Sequence, residues 1–465
     1  MELIGHSPDY TNLFGDKRLE KRGKLISQIL VSGRKSSVHA ITSTQSEQKG
    51  FYRFLDKNKV KESDLIKELT TRCGKNVSER DIVVIQDSTS IGLSKQAGHM
   101  ETDSGLGLVG NKTGLGFLAH VSLVLDSHTE SMLGFSDVQL WHRTEDKSNN
   151  TTKVYKKQPI EEKESYKWIR ASQQAKEGLN AAKSITIIED REGDIYEQFS
   201  LIPDEKTNLI IRNRDNRKLS DGLKLYQVLE QAPVLGTVSL KVYGDVRKNK
   251  IKREAIVEVR CQQVTIQKPT NCKNTKVDAA LPVYVVEAKE QNAGFKDAIC
   301  WRLMTSKKVE TFEEALAIID TYKLRWYIEQ LFRLLKKQGY QIEETELESG
   351  WAIRKMFVLV LNAALRVMQL YLAYEEENSQ DIEEVFSKDE IECLHAINTN
   401  HIVKTEKTHN PYNAQKLSWA SWIIARLGGW KGNTRQRKPG PIIMKKGIDV
   451  FDIMFQGWKL AQIKT

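Results

Sequence analysis

One stretch of this 465-residue chain gathers side chains suited to phosphate chemistry: EEALAIIDTYKLRWYIEQLFRLLKKQG. Tyr322, Arg325, Glu329 and Lys336 follow one another at spacings of three, four and seven. On one continuous helix turning about 100° per residue they share roughly 60° of arc. Leu324, Ile328, Leu331 and Leu335 make an apolar stripe about 120° away, so a single helix is expected to bury that stripe and present the polar four. A solvated face with an Arg325–Glu329 ion pair explains the same spacing. The sharper reading gives Glu329 two partners, Asp87 and Asp190, each expected at the C-terminal tip of a buried strand (DIVVIQD and SITIIED). Three such carboxylates are the hard-oxygen cage that two Mg²⁺ or Mn²⁺ ions need for phosphoryl transfer. Arg325 and Lys336 would grip phosphates beside them. Each aspartate is equally at home in a turn or cap, and spacing alone does not bring the three together.

The elements that must position these residues are legible as a sequence pattern. Residues 17–32 and 61–73 read as short helices, and the stretch between them mixes hydroxyls, cations and aromatics. From Asp81 the texture changes to a strand, a hairpin (GFLAHVSLVLDS and ESMLGFSDVQLW), a helix at about 160–182 and the strand SITIIED. Short apolar or alternating runs then fill 205–310 (NLIIRNR, GTVSLKVYG, EAIVEVRCQQVTI, PVYVVEAKE, AICWRLMTS) before the pattern turns helical to about residue 374. This is a mixed α/β core interrupted by a β-rich insertion.

Charge and cysteine content narrow the classes. Lys and Arg number 71 against 61 Asp and Glu, a net +10 that favours an anionic partner. The surplus is uneven: residues 1–60 hold 11 cations against 6 acids, and 431–447 hold six cations and no acid. No run approaches the roughly 20 apolar residues of a membrane span, and the N-terminus has no apolar signal core. Five scattered cysteines form no C-x-x-C pair, against a disulfide scaffold or a cysteine zinc site. Gly105, Gly107 and Gly110 fit G-x-G-x-x-G but lead into a strand, where a dinucleotide site needs a helix. Neither G-x-x-x-x-G-K-[ST] nor H-E-x-x-H occurs.

The run D-T-Y-K-L-R-W-Y-I-E-Q-L-F-R-L-L-K resembles the Tyr-x2-Arg-x3-Glu-x6-Lys signature of bacterial DDE transposases of the insertion-sequence-four family, the group of transposon five. V-V-I-Q-D-S-T and S-I-T-I-I-E-D-R-E-G-D resemble that family's segments around its first and second aspartates. W-R-L-M-T-S, F-G-D-K-R-L-E-K-R, G-F-Y-R-F and A-R-L-G-G-W have its look as well, so the resemblance covers nearly the whole chain. It implies a ribonuclease-H-like catalytic core at 76–374 with the β-rich insertion at about 205–310. A helical DNA-end-binding domain at 1–75 and a C-terminal domain at 375–465 for dimerisation or DNA contact would flank it. Residue by residue, it implies Asp87, Asp190 and Glu329 as catalytic metal ligands. Tyr322, Arg325 and Lys336 would hold phosphates beside the cut bond, and Trp301 would stack on a flipped base. Arg212 and Arg333 could add contacts there. Lys17, Arg18, Lys21, Arg22, Lys24, Arg34, Lys35, Lys49 and Arg53 would bind the element end. Core filling explains Trp301, and solvated charge the cations, without that role.

The resemblance further implies a cut-and-paste transposase that nicks insertion-sequence ends, closes and reopens hairpins, and joins the 3′ ends to target DNA. Its cofactors would be two Mg²⁺ ions, with Mn²⁺ substituting; its partners, double-stranded transposon-end and target DNA and a second copy in a synaptic homodimer. No membrane or nucleotide cofactor is expected, and the setting would be the bacterial cytoplasm and nucleoid. A nuclease of the same core without strand transfer, or a DNA-binding repressor derived from a transposase, are the rival readings. The Pro-, Lys- and Arg-rich segment after Gly428 departs from the family pattern, leaving the dimer contact the least supported inference.

Overall fold

A computed structural model describes residues 7–32, 37–101, 103–110, 114–143, 158–242, 253–291, 298–336, 339–374, 376, 379–402, 409–432 and 438–462. In chain order its elements begin with α1 (Lys17–Val31), α2 (Val38–Ile41), α3 (Gln45–Asp56) and α4 (Glu62–Lys75). Strands β1 (Asp81–Gly92), β2 (Gly107–Val109), β3 (Gly114–Asp126) and β4 (Met132–Trp141) follow. Next come α5 (Tyr166–Gly178), β5 (Ser184–Glu189), α6 (Tyr196–Leu201), β6 (Thr207–Arg212) and α7 (Leu225–Gln231). Four strands, β7 (Val234–Val242), β8 (Arg253–Gln267), β9 (Ala280–Glu290) and β10 (Cys300–Thr305), lead to the helical remainder. That part is α8 (Phe312–Lys323), α9 (Trp326–Lys336), α10 (Gly350–Ala373), α11 (Lys388–Ile397), α12 (Leu417–Leu427) and α13 (Pro441–Gln462). The chain divides into two compact units: Glu79–Asp87 with Asn149–Trp326, and Met1–Ser78 with Ser88–Ser148 and Tyr327–Thr465.

The first of these units is built on one mixed sheet in the order β1-β5-β6-β10-β9-β8-β7. β1, β5 and β6 run parallel, and the remaining neighbours are antiparallel. Continuous apolar runs make the parallel strands core strands, since helices must cover both faces of such a pairing. Ile82–Ile85, Ile187, Ile188 and Leu209–Ile211 are accordingly buried. The strands expected as an insertion are hydrogen-bonded into this same sheet: β6 continues the parallel ladder and β10 pairs with it. α7 and α8 pack on β8. Gly236 sits at a register shift of β7, where a Cβ would lie 2.7 Å from the Phe312 ring.

The second unit is organised around α10, 24 residues long and buried along almost its whole length. α1, α3, α4, β4, α12 and α13 all pack against it. By length and composition α10 could cross a membrane, contrary to the expectation that no run approaches a span. Its burial explains the composition: a helix covered on every side is apolar all round. Its few polar side chains each tie down a different neighbour. Arg354 bonds Glu62 (2.6 Å), Lys355 the Leu55 carbonyl (2.6 Å), Asn362 Ser27 (2.9 Å) and Arg366 Glu390 (2.9 Å). β2, β3 and β4 form an antiparallel meander in this unit, and His120, buried on β3, meets the Ser88 hydroxyl at 2.9 Å.

Candidate phosphate-handling site

Both aspartates belong to the sheet unit, at the same end of two paired parallel strands. β1 and β5 pair in step from Asp81↔Ser184 to Ile85↔Ile188. Carried two residues beyond that paired stretch, the same register would bring Asp87 level with Asp190. Asp87 is not at a strand tip: β1 continues to Gly92, and Asp87 marks the point where the strand stops being buried. Its polar residues Ser88–Ser90 still fit a strand because both faces are half-exposed there, so the apolar run ended before the strand did. Asp190 does close its strand. It caps the turn Arg191–Gly193, its Oδ1 accepting the Glu192 N–H at 2.8 Å.

Three further side chains converge on this pair within the same unit. Arg325 Nη1 donates to Asp87 Oδ2 at 3.0 Å, with both side chains mostly covered. Arg212 ends β6; burial pushes its guanidinium pKa down, opposed by Tyr322 and reinforced by Arg191 and Arg325. Tyr322 is 5% exposed; among the described residues no hydrogen bond of good geometry reaches its hydroxyl, though Arg325 and Arg212 lie close enough to influence it. Burial raises the phenol pKa, the Arg325 and Arg212 charges lower it, and Asp190 raises it. Trp301, on β10, stands edge-on to Tyr322 with ring centroids 6.0 Å apart. Two acids, two guanidiniums, a buried phenol and an indole therefore share one place.

The single long helix expected here is two. Helical bonding lapses at Leu324 and Arg325, whose N–H groups bond back only three residues, to Thr321 and Tyr322. No glycine or proline causes the lapse, and Lys, Leu and Arg all favour helix; the break leaves Arg325 bonded to Asp87. The helical arithmetic does not carry across it. Tyr322 and Arg325 belong to the sheet unit, whereas Glu329, Arg333 and Lys336 belong to the helical unit. On α9 those three share the open face, opposite the buried Ile328, Leu331 and Leu335. Among the described residues no three His, Cys, Asp or Glu side chains form a group that could hold a metal ion. The two aspartates themselves fit a hard divalent cation in donor type, with Arg325 partnering Asp87.

Beneath the aspartates lies a buried polar cluster that sequence reasoning missed. Gln86 and Glu189, the residues just before Asp87 and Asp190, are both fully buried. Gln86 accepts from Ser172 Oγ at 2.9 Å and donates to the Trp168 carbonyl at 3.3 Å. Ser172 Oγ also lies 3.2 Å from Glu189 Oε1, and Gln198 Nε2 donates to Ser172 Oγ at 2.6 Å and to Glu189. Burial drives the Glu189 pKa well above the ordinary carboxylate range, against the bonds from Ser172 and Gln198. The available signal was a Gln and a Glu at inward positions of otherwise apolar strands. Nearby, buried Asp194 is held by Arg217 and by the Arg214 N–H at 2.8 Å.

In the helical unit, Lys17, Arg18 and Lys21 are exposed on α1, and Lys49 and Arg53 on α3. Lys24 is half-buried, and Arg22 lies across Gly50 of α3. Arg34 and Lys35 lie outside the described residues. Helix α3 itself was not foreseen, although T-Q-S-E carries a capping signal: Thr44 Oγ1 accepts the Glu47 N–H at 3.2 Å.

A mixed α/β sheet that sets paired aspartates among guanidiniums has the make-up of a protein that handles phosphate esters. Its sequence places it more closely. Residues 31–366 match the family model described as the transposase DDE domain, and the chain belongs to that family. Among solved structures it is similar to a piggyBac transposase synaptic complex with hairpin DNA determined by cryo-EM. The identity is 10% and the TM-score 0.36, over 85% of this chain and 57% of that one. The chain thus spans less than two thirds of that protein.

Proposed function

We propose that this protein is a cut-and-paste DNA transposase that cleaves element ends by phosphoryl transfer and joins them to target DNA. The observation that carries the reading is the placement of Asp87 and Asp190 at the same end of two paired parallel strands, with Arg325, Arg212 and Tyr322 around them. In this reading Asp87, Asp190 and Glu329 hold divalent Mg²⁺ or Mn²⁺, which stabilises charge on the attacking and leaving oxygens when bound. Arg325 exchanges its bond to Asp87 for a phosphate oxygen once the carboxylate is engaged elsewhere. Arg212 and the buried Tyr322 hydroxyl bind the same or a neighbouring phosphate. Lys336 and Arg333 add charge from α9. Trp301 offers an indole face to a base leaving its stack, which supports a hairpin route.

The reaction would be a series of in-line displacements at phosphorus. Water cuts one strand and frees a 3′-hydroxyl, that hydroxyl attacks the opposite strand to close a hairpin, water reopens it, and the same hydroxyl attacks target DNA. Each step replaces one ester oxygen on phosphorus by an incoming oxygen, from water in the two cuts and from the 3′-hydroxyl in the two joins, so one constellation serves all. A synaptic homodimer, working on DNA in the bacterial cytoplasm, would hold two ends for concerted cutting.

The test is purified protein on a DNA fragment carrying the sequences that flank its reading frame, with Mg²⁺ and then Mn²⁺, beside Asp87→Ala. Metal-dependent nicks and hairpins at discrete ends, absent from the variant, are expected. Cutting without discrete ends or joined strands would replace the reading with a nuclease, and binding without cutting with a repressor.

A further inference from the structure

Helix α3 was invisible in the sequence, and its surface differs in kind from that of α1. Its inner face is fixed by Gly50, Phe51, Phe54 and Leu55, all buried. That rotation turns Gln45, Gln48, Lys49, Tyr52 and Arg53 outward, over roughly 140° of arc. Gln45, Lys49 and Arg53 are exposed, and Gln48 and Tyr52 half-exposed. Among the described residues none of the five has a side-chain hydrogen bond or ion pair. The neighbouring acid Glu47 is engaged, accepting the Ser43 N–H at 2.9 Å. Asp56 lies only in the last turn. The outward face of α1 carries Lys17, Arg18, Lys21 and Lys24, with no carboxamide in its first two turns.

The two helices are locked together by reciprocal glycines. A Cβ on Gly23 of α1 would lie 2.8 Å from the Phe54 ring, and one on Gly50 of α3 2.9 Å from Arg22 Nε. Neither glycine has positive φ, so close approach accounts for them. The outer faces of α1 and α3 are therefore held as one rigid surface.

We infer that α3 reads base edges of duplex DNA in a groove, while α1 grips its phosphates. This rests on the reading of DNA as partner and adds which helix carries sequence choice. A carboxamide pairs a donor with an acceptor, the pattern that matches adenine, and an arginine fork matches guanine. Lysine ammonium groups are point charges that attract any phosphate alike. At 12 residues, or about 18 Å, α3 is long enough to lie along a groove. The basic balance of residues 1–60, 11 cations against 6 acids, selects a polyanion over an apolar or acidic protein surface.

The experiment selects duplexes from a randomised pool with the full chain, then measures anisotropy on the enriched duplex and a scrambled one across a salt series. Gln45→Ala combined with Gln48→Ala should weaken the enriched duplex about tenfold or more, with the scrambled duplex and the salt slope unchanged. Lys17→Ala combined with Lys21→Ala should weaken both duplexes equally and lower the slope by about one per lysine. Equal losses on both duplexes for the glutamine variant, or none, would overturn the assignment. Failure of the wild-type chain to enrich any duplex would overturn the DNA reading as well, which separates the two failures. These side chains have no partner to lose, so unchanged thermal melts are the expected folding control.

Discussion

At the residue scale the candidate site turns on groups whose partners are missing or borrowed. Among the described residues no hydrogen bond of good geometry reaches the buried Tyr322 hydroxyl, so Tyr322→Phe should cost the fold little. Its urea midpoint should stay at the wild-type value, while DNA cleavage falls by about tenfold to a hundredfold, the worth of a hydrogen bond to a charged group. Loss of stability without loss of cleavage would refute the phosphate role. Glu329→Ala should abolish cleavage and leave duplex binding intact by gel shift; cleavage that survives it removes Glu329 from the site. Trp301→Ala should nick normally and accumulate nicks in place of hairpins. Normal hairpin yield would show that Trp301 only packs on Tyr322, as its 6.0 Å edge contact already does.

At the element scale, the turns that close β5 and open β6 hold the strands that carry Asp190 and Arg212. Gly193 follows β5, and a Cβ there would lie 2.1 Å from the buried Glu189 Oε2. Gly193→Ala should therefore cost about 1–3 kcal/mol in a urea titration. Asp204 precedes β6. Burial raises its pKa, but Lys176 at 2.7 Å and the N–H groups of Lys206 and Thr207 outweigh that and lower it to about 2. A depressed carboxylate stabilises the fold above its unfolded pKa of 3.8 and loses that stabilisation as pH falls toward 2. Wild type should exceed Asp204→Asn in urea midpoint at neutral pH, with the gap closing between about pH 4 and pH 2. A gap unchanged across that window would rule out the charge as its source.

At the scale of the whole molecule, each unit has its own organising element: a mixed sheet in one, α10 in the other. Phe357 of α10 is fully buried and meets Phe117 of β3 edge-on at 5.7 Å. Phe357→Ala should cost about 3–5 kcal/mol, read as a lowered urea midpoint. A cost under about 1 kcal/mol would mean that the surrounding helices collapse into the space. The buried Arg354, Lys355, Asn362 and Arg366 give α10 its register against α1, α3, α4 and α11 through specific bonds. Apolar burial alone is non-directional and would not select among registers.

The sequence by itself determined the element types wherever periodicity was strong. The apolar runs of β1, β5 and β6 and the stripe Ile328, Leu331 and Leu335 came out as buried strands and a buried helix face. Residue chemistry also singled out Asp87, Asp190, Tyr322 and Arg325, and the family resemblance Arg212 and Trp301; the sheet unit gathers all six. Tertiary structure decided what local pattern cannot carry. Strand register between β1 and β5 is a long-range property, and it alone brought residues 87 and 190 to the same end of two neighbouring strands. The lapse at Leu324–Arg325 goes against helix propensity, and an ion pair with a distant strand is what Arg325 gains. Helix α3 was hidden because its inner face includes a glycine, whose role is the approach of α1 and not burial of a side chain. The polarity of Gln86 and Glu189 became intelligible only once Ser172 and Gln198 enclosed them, because a buried polar group is defined by its partners.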